Sequence, residues 1–169
     1  MPIFLDLVTA VVALSIATGT VVAGEKKDIA MNKSKQTIDR LIERLGAAKP
    51  AVGEIAHSLG YATIGKNGRA AVRMDAPPFE GADIEDVRGV IKIKFRMAAG
   101  TWRFRDITDK PELWSIAPPL PDTGQIDAVR NWEWNHLRVR CIVGVAGGGS
   151  MESLLVRDIQ CQVRPGKAQ

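Results

Sequence analysis

Residues 3–23 are apolar almost throughout, and about 20 such residues suit a helix that crosses a bilayer. Asp6 is the one ionisable group among them. A carboxylate in lipid is costly and usually has a partner or a function. Further along, Ile38, Leu41, Ile42 and Leu45 recur at helical spacing. Asp39 and Glu43 fall opposite that stripe, among Lys35, Arg40 and Arg44. Gly46 is a stop signal and Pro50 closes the element. Residues 5–45 therefore predict one helix of about 60 Å at 1.5 Å per residue, apolar first and amphipathic after. A short helix is expected over residues 50–60, capped by Gly60. From Ala70 the period becomes two. Ile91, Ile93, Phe95 and Met97 alternate with Lys92, Lys94 and Arg96. Trp102 and Phe104 alternate with Arg103 and Arg105, and Leu137, Val139, Cys141, Val143 and Val145 with Arg138 and Arg140. These read as half-buried antiparallel strands with a basic outer face. Residues 154–164 form the last strand. Gly100 and the run Gly147, Gly148, Gly149 are turn signals, and Pro118, Pro119 and Pro121 mark a long loop.

The expected architecture is α+β. A long N-terminal helix covers residues 1–48, a connecting region with a short helix covers 49–88, and an antiparallel β domain of four to six strands covers 89–169. Within the first segment, Asp6, Thr9, Ala13, Ala17, Thr20 and Gly24 form one stripe of small or polar residues. Such a stripe lets helices approach closely and associate where hydrophobicity cannot drive them together. Three readings compete for this segment: a cleaved secretory signal, a helix buried in a soluble assembly, and a retained membrane helix. The third is preferred; the first six residues carry Asp6 and no Lys or Arg, which is unlike the basic start of a cleaved signal. The stripe then makes the expected partner of Asp6 another protein rather than lipid.

The chain has 169 residues with a formal net charge of +4. That balance is too mild to imply nucleic acid. The charged strands lack interleaved aromatics, which argues against single-strand binding. Their Lys and Arg read as the solvated face of a sheet. His57 and His136 share no metal-ligand spacing with the cysteines, and no nucleophile-elbow sequence is present. The glycine run lacks the Lys-Ser or Lys-Thr of a phosphate loop. Asp83, Glu85 and Asp86 are close enough in sequence to suggest calcium, but read more simply as a solvated loop. No cofactor and no catalytic residue is implied. The fragment from Glu54 to Gly60 has the spacing of a helix-turn-helix start, yet Gly65 and Gly68 spoil the next helix.

By strand parity Cys141 and Cys161 both point inward. A symmetric turn at Gly148 and Gly149 sets Cys141 opposite Val156 and keeps the sulfurs apart. A turn centred near Met151, or another pairing, brings the Cα atoms within the roughly 7 Å a disulfide needs. Bridge and free thiols both stay open at this point. Trp102, Trp114, Trp132 and Trp134 read as core and sheet-edge residues, or as part of a sugar-binding face. Residues 134–163 resemble the final hairpin of jelly-roll modules of carbohydrate-binding and phage tail proteins.

The overall plan resembles type IV pilins and pseudopilins, with sequence likeness at Pro2, Ile3, Phe4, Leu5, Asp6 and Leu7. With Met1 removed, Asp6 takes the place of that family's acidic fifth residue, and Pro2 stands where the family has a methylated phenylalanine. The resemblance implies a filament subunit whose Asp6 neutralises a neighbour's N-terminus, and a C-terminal cysteine pair that often closes a loop. Lys26, Lys27, Lys33 and Lys35 follow the apolar segment, which by the positive-inside tendency keeps the C-terminal domain in the cytoplasm. A virion protein, in or under a membrane or capsid, is free of that conflict. The expected function is thus a non-enzymatic structural subunit. It forms homo-oligomers through the N-terminal helix, is anchored in a membrane before assembly, and then lies in a cell-surface filament. The alternatives are a virion structural protein, a carbohydrate-binding surface module and, last, a membrane-tethered DNA-binding regulator.

Overall fold

The computed structural model describes residues 36–122 and 124–166. Asp6, Thr9, Ala13, Ala17, Thr20 and Gly24 lie outside the described residues. The first described helix, α1 (Ile38–Leu45), starts at Thr37, whose side-chain oxygen accepts a 3.5 Å hydrogen bond from the Arg40 amide. Its apolar stripe Ile38, Leu41, Ile42 and Leu45 is fully buried. Gly46 follows, and the Trp134 indole lies where a Cβ at Gly46 would sit. The second helix, α2 (Val52–Leu59), buries Ile55, Ala56 and Leu59. Gly60 then leads directly into a strand, so the helix-turn-helix fragment has no second helix.

Among the described residues, eight antiparallel strands form one sheet in the order β1-β2-β3-β4-β8-β7-β6-β5. They are β1 (Tyr61–Ile64), β2 (Arg69–Ala76), β3 (Phe79–Val87), β4 (Val90–Met97), β5 (Ser115–Ile116), β6 (Ile126–Glu133), β7 (Leu137–Ala146) and β8 (Leu155–Pro165). The expected long apolar-then-amphipathic helix is corrected. The described part of that element is one helix of eight residues, and the mass of the domain is sheet. Residues 49–88 hold α2 and also β1, β2 and β3, which belong to the same sheet. A single sheet also replaces the two packed sheets of a jelly roll.

Membrane anchoring is corrected as well. Among the described residues no helix is long and apolar enough to cross a membrane. The cell-surface filament and virion placements that rested on an anchor lose that support.

Period two drives the layering. Val72, Ile84, Ile93, Cys161, Cys141 and Trp132 are among the residues that alternate strands direct to one face, where they join the core with α1 and α2. Trp102 and Phe104 depart from their expected strand. Trp102 Nε1 donates to the Ala98 carbonyl at 2.8 Å, and Phe104 begins a single helical turn, α3 (Phe104–Ile107). The segment pairs with the sheet through an isolated bridge between Arg103 and Leu155.

The cysteines are bonded to each other. Cys141 pairs directly with Cys161 across β7 and β8, with Cα atoms 4.0 Å apart. A register shift between Gly144 and Val145 and the connection over residues 147–154 move the centre of the hairpin to Met151. The two edges of the sheet differ. β1 offers four residues without charge or proline, with Tyr61 71% and Ile64 48% exposed. β5 offers two residues, hemmed by Pro111 on one side and by Pro118, Pro119 and Pro121 on the other.

Candidate functional site: an open polar face and a buried polar knot

The face of the sheet opposite the helices is polar and hollow. A trough of about 920 Å³ is lined by residues from seven of the eight strands, all but β5. That volume lies at the upper end of the roughly 300–1,000 Å³ typical of ligand clefts. Strand register sets its floor as ranks. One rank runs Arg69, Glu85, Lys92, Gln162, Arg140, Asn131 across six strands. The next runs Thr63, Ala71, Asp83, Lys94, Gln160, Ile142. A third places Asp158 and Asp127 on either side of Gly144.

Charge is not spread evenly along these ranks. Glu85 pairs with Arg69 at 3.1 Å, and Asp83 pairs with Arg96. Arg96 also donates to the Val72 carbonyl at 3.1 Å. Its guanidinium crosses β3 at Gly81, where a Cβ would lie 2.4 Å from Arg96 Nη2 and from the Val72 carbonyl oxygen. Two acids are therefore neutralised by cations outside the centre. Lys92, Lys94 and Arg140 have no ion-pair partner among the described residues, and Gln160 and Gln162 lie between them. Asp127 accepts from Gln125 Nε2 at 2.9 Å at the acidic end. No aromatic ring lines the trough.

The second polar constellation is buried under α1. Asp39 is fully buried although it reads as solvated in the helical pattern. It lies three residues from Ile42, about 60° away around the helix. It thus flanks the apolar stripe and meets the wall formed by residues 108–114. Its carboxylate accepts from Arg130 Nη1, from the Thr108 hydroxyl and, at 3.1 Å, from the Asp109 amide. Burial raises the Asp39 carboxyl above its ordinary 3.8, against the pull of the Thr108 hydroxyl and the Arg130 guanidinium. Arg130 is itself 8% exposed and its guanidinium carbon lies 4.4 Å from the centre of the Trp132 ring. Trp132 stacks edge-on with Trp114 at 5.7 Å, and Trp114 with Phe104 at 5.5 Å. Trp114 Nε1 donates to the Thr108 hydroxyl at 3.2 Å. Arg40 to Asp109 and Lys110 to Glu43 extend the same clamp to the surface. The knot fastens the irregular segment after β4 to α1; its donors and acceptors are turned on one another except for Trp132 Nε1, which is buried without a hydrogen-bond partner.

The remaining chemical candidates are separate. His57 Nδ1 lies 2.7 Å from the Gly53 carbonyl and His136 Nε2 3.2 Å from the Ala48 carbonyl. Asp83, Glu85 and Asp86 lie on β3 and its turn rather than in a loop, each with its own partner. No group of three His, Cys, Asp or Glu among the described residues is placed to hold a metal ion. Trp114 and Trp132 are buried, and Trp134 packs on Gly46. The knot and the trough both escape a reading of single elements. The one sequence signal for the knot is a charge of inward parity: Arg130 falls between Ala128 and Trp132 on the apolar face of β6.

No family model, curated protein or solved structure matches this chain.

Proposed function

We propose that this chain is a non-catalytic structural subunit whose described domain presents the open face of its sheet to a partner. The observation that carries the reading is the division of the sheet into two faces. One is sealed by α1, α2 and the segment after β4, and is tied by the Cys141–Cys161 bond. The other is a hollow polar surface crossing seven strands. A fixed scaffold with one broad, charged, open face suits recognition better than chemistry, which needs convergent groups in a water-excluded site.

Self-association is assigned to residues 3–23 through the stripe of Asp6, Thr9, Ala13, Ala17, Thr20 and Gly24. Small residues at helical spacing favour close helix packing, and Asp6 supplies a charge that fixes register. This proposal keeps the structural-subunit class and leaves the pilin architecture aside.

The test uses the full chain. Sedimentation velocity and negative-stain microscopy of the wild-type protein are expected to show multimers. Ala13→Leu and Asp6→Ala are expected to reduce them to monomers without changing the thermal unfolding of the folded domain. A wild-type chain that stays monomeric at tens of micromolar overturns the reading.

A further inference from the structure

We propose that the trough binds a segment of an anionic polysaccharide, with Lys92, Lys94 and Arg140 holding its acidic groups. The proposal rests on the reading of the open face as a recognition surface and names what that surface recognises.

The argument starts from what is left over after the internal pairing. Arg69 and Arg96 neutralise Glu85 and Asp83, so those acids do not compensate the central cations. Lys92 and Lys94 are two residues apart on one strand, about 7 Å along it. Arg140 shares the rank of Lys92 two strands away, about 10 Å across the sheet. Three unpaired cations thus surround the amides of Gln160 and Gln162. Lys92 lies opposite Glu85 and Lys94 opposite Asp83, but both carboxylates are already engaged by Arg69 and Arg96, so the group of cations keeps a local positive excess that an anion laid over it relieves.

The lining then discriminates among polyanions. Nucleic acid gains much of its single-strand affinity from bases stacked on aromatic rings, and the trough has none. An acidic peptide gains affinity by adding a strand to a sheet edge. Lys92, Lys94 and Arg140 lie on β4 and β7, strands interior to the sheet whose backbone groups are already paired, and the open β1 edge contributes only Thr63 and Gly65 at one end of the trough, so a peptide laid over the three cations finds no ladder to join. A polysaccharide carries its acidic groups on rings rich in hydroxyls. Gln160 and Gln162 can both donate to and accept from hydroxyls, and the Asp158 and Asp127 carboxylates accept from them. Cations at the centre and acceptors at one end match a ligand that bears both anionic groups and hydroxyls.

Titration calorimetry of the full-length protein provides the test, with a heparin-derived tetrasaccharide and a tetragalacturonate as probes at 50 mM salt. A hexaglutamate peptide and a single-stranded DNA 12-mer serve as comparators. At least one oligosaccharide is expected to bind, and both comparators at least tenfold more weakly. Lys92→Gln, Lys94→Gln and Arg140→Gln are each expected to weaken binding about three- to fivefold, the worth of one exposed charge contact. The triple variant should lose about 50-fold. Lys49→Gln, which removes the same charge from the helical side, should bind as wild type. All four residues are exposed, and thermal unfolding of each variant checks that the fold is kept.

Absence of binding to both oligosaccharides overturns the proposal. So does equal binding of peptide or DNA, or a triple variant that binds as wild type. Sedimentation of the same samples reports the structural-subunit reading separately, since multimers that bind no glycan reject only the ligand.

Discussion

Arg88 shows how one residue departs from local preference. It takes φ 57° and Gly89 φ 78° in the two-residue turn between β3 and β4, with the Asp86 side chain accepting from the Gly89 amide at 2.7 Å. Two positive φ values fit the hairpin twist, and Asn-Gly is the pair that adopts them most readily. Arg88→Asn is therefore expected to raise unfolding free energy by about 0.5–1 kcal/mol, read from urea melts. Asp39 is the opposite case, a residue whose removal hurts. Asp39→Ala leaves Arg130 buried without a counter-ion and is expected to cost about 3–5 kcal/mol. The pH dependence has a definite sign. Asp39 holds its proton to higher pH in the fold than in the unfolded chain, where it titrates near 3.8. Between those two values the native state binds more protons, so the Asp39 contribution to stability falls as pH rises and levels off above the folded value. The stability difference between wild type and Asp39→Asn, followed by urea melts from pH 3.5 to 7, is expected to narrow over that interval.

The strands and helices were unequally legible. β4, β7 and β8 carry large aliphatic residues against Lys, Arg and Gln, and the contrast announces both the period and the buried face. β2 and β3 alternate as well, with Ala70, Val72, Met74, Ala82 and Ile84 inward and Arg69, Arg73, Asp83 and Glu85 outward, but small Ala70, Ala71, Gly81 and Ala82 and the Pro77–Pro78 break make them a weaker strand signal than β4, so a domain boundary at residue 89 falls too late. Trp102 and Phe104 alternate with arginines yet form no strand, because the Trp102 indole turns back to the Ala98 carbonyl and Phe104 enters a helical turn. The cysteine pairing could not be read from spacing alone, since the register shift at Gly144 and Val145 decides it. The bond closes a loop with a sequence separation of 20. Replacing both cysteines with alanine is expected to lower stability by about 3 kcal/mol by loop entropy, measured by denaturant unfolding without reductant. Both sulfurs belong to buried residues, so the native protein should resist mild reductant that reduces the unfolded chain.

At the scale of the whole molecule, neither the trough nor the polar knot belongs to any one element. Lys92, Lys94 and Arg140 are ordinary solvated residues until register sets them around Gln160 and Gln162. Asp39 and Arg130 are 91 positions apart, and only the packing of α1 on β6 makes them a pair. The apolar stripe of α1 and the inward residues of the strands were plain; the meeting of distant polar side chains depends on topology, which periodicity does not carry. The bare β1 edge adds a prediction of its own. Ile64→Lys, which places a charge on that edge, is expected to raise the onset temperature of aggregation in light scattering, with stability changed by less than about 0.5 kcal/mol.

The unlike edges also limit how sheets can multiply. A sheet receptive on both sides extends without end, as each newcomer offers its far edge to the next. Here β1 is receptive, while β5 is two residues long and fenced by prolines. Two copies joined β1 to β1 leave only β5 edges outward, and the stack stops at two. Any longer polymer of this protein must be threaded through a different part of the chain.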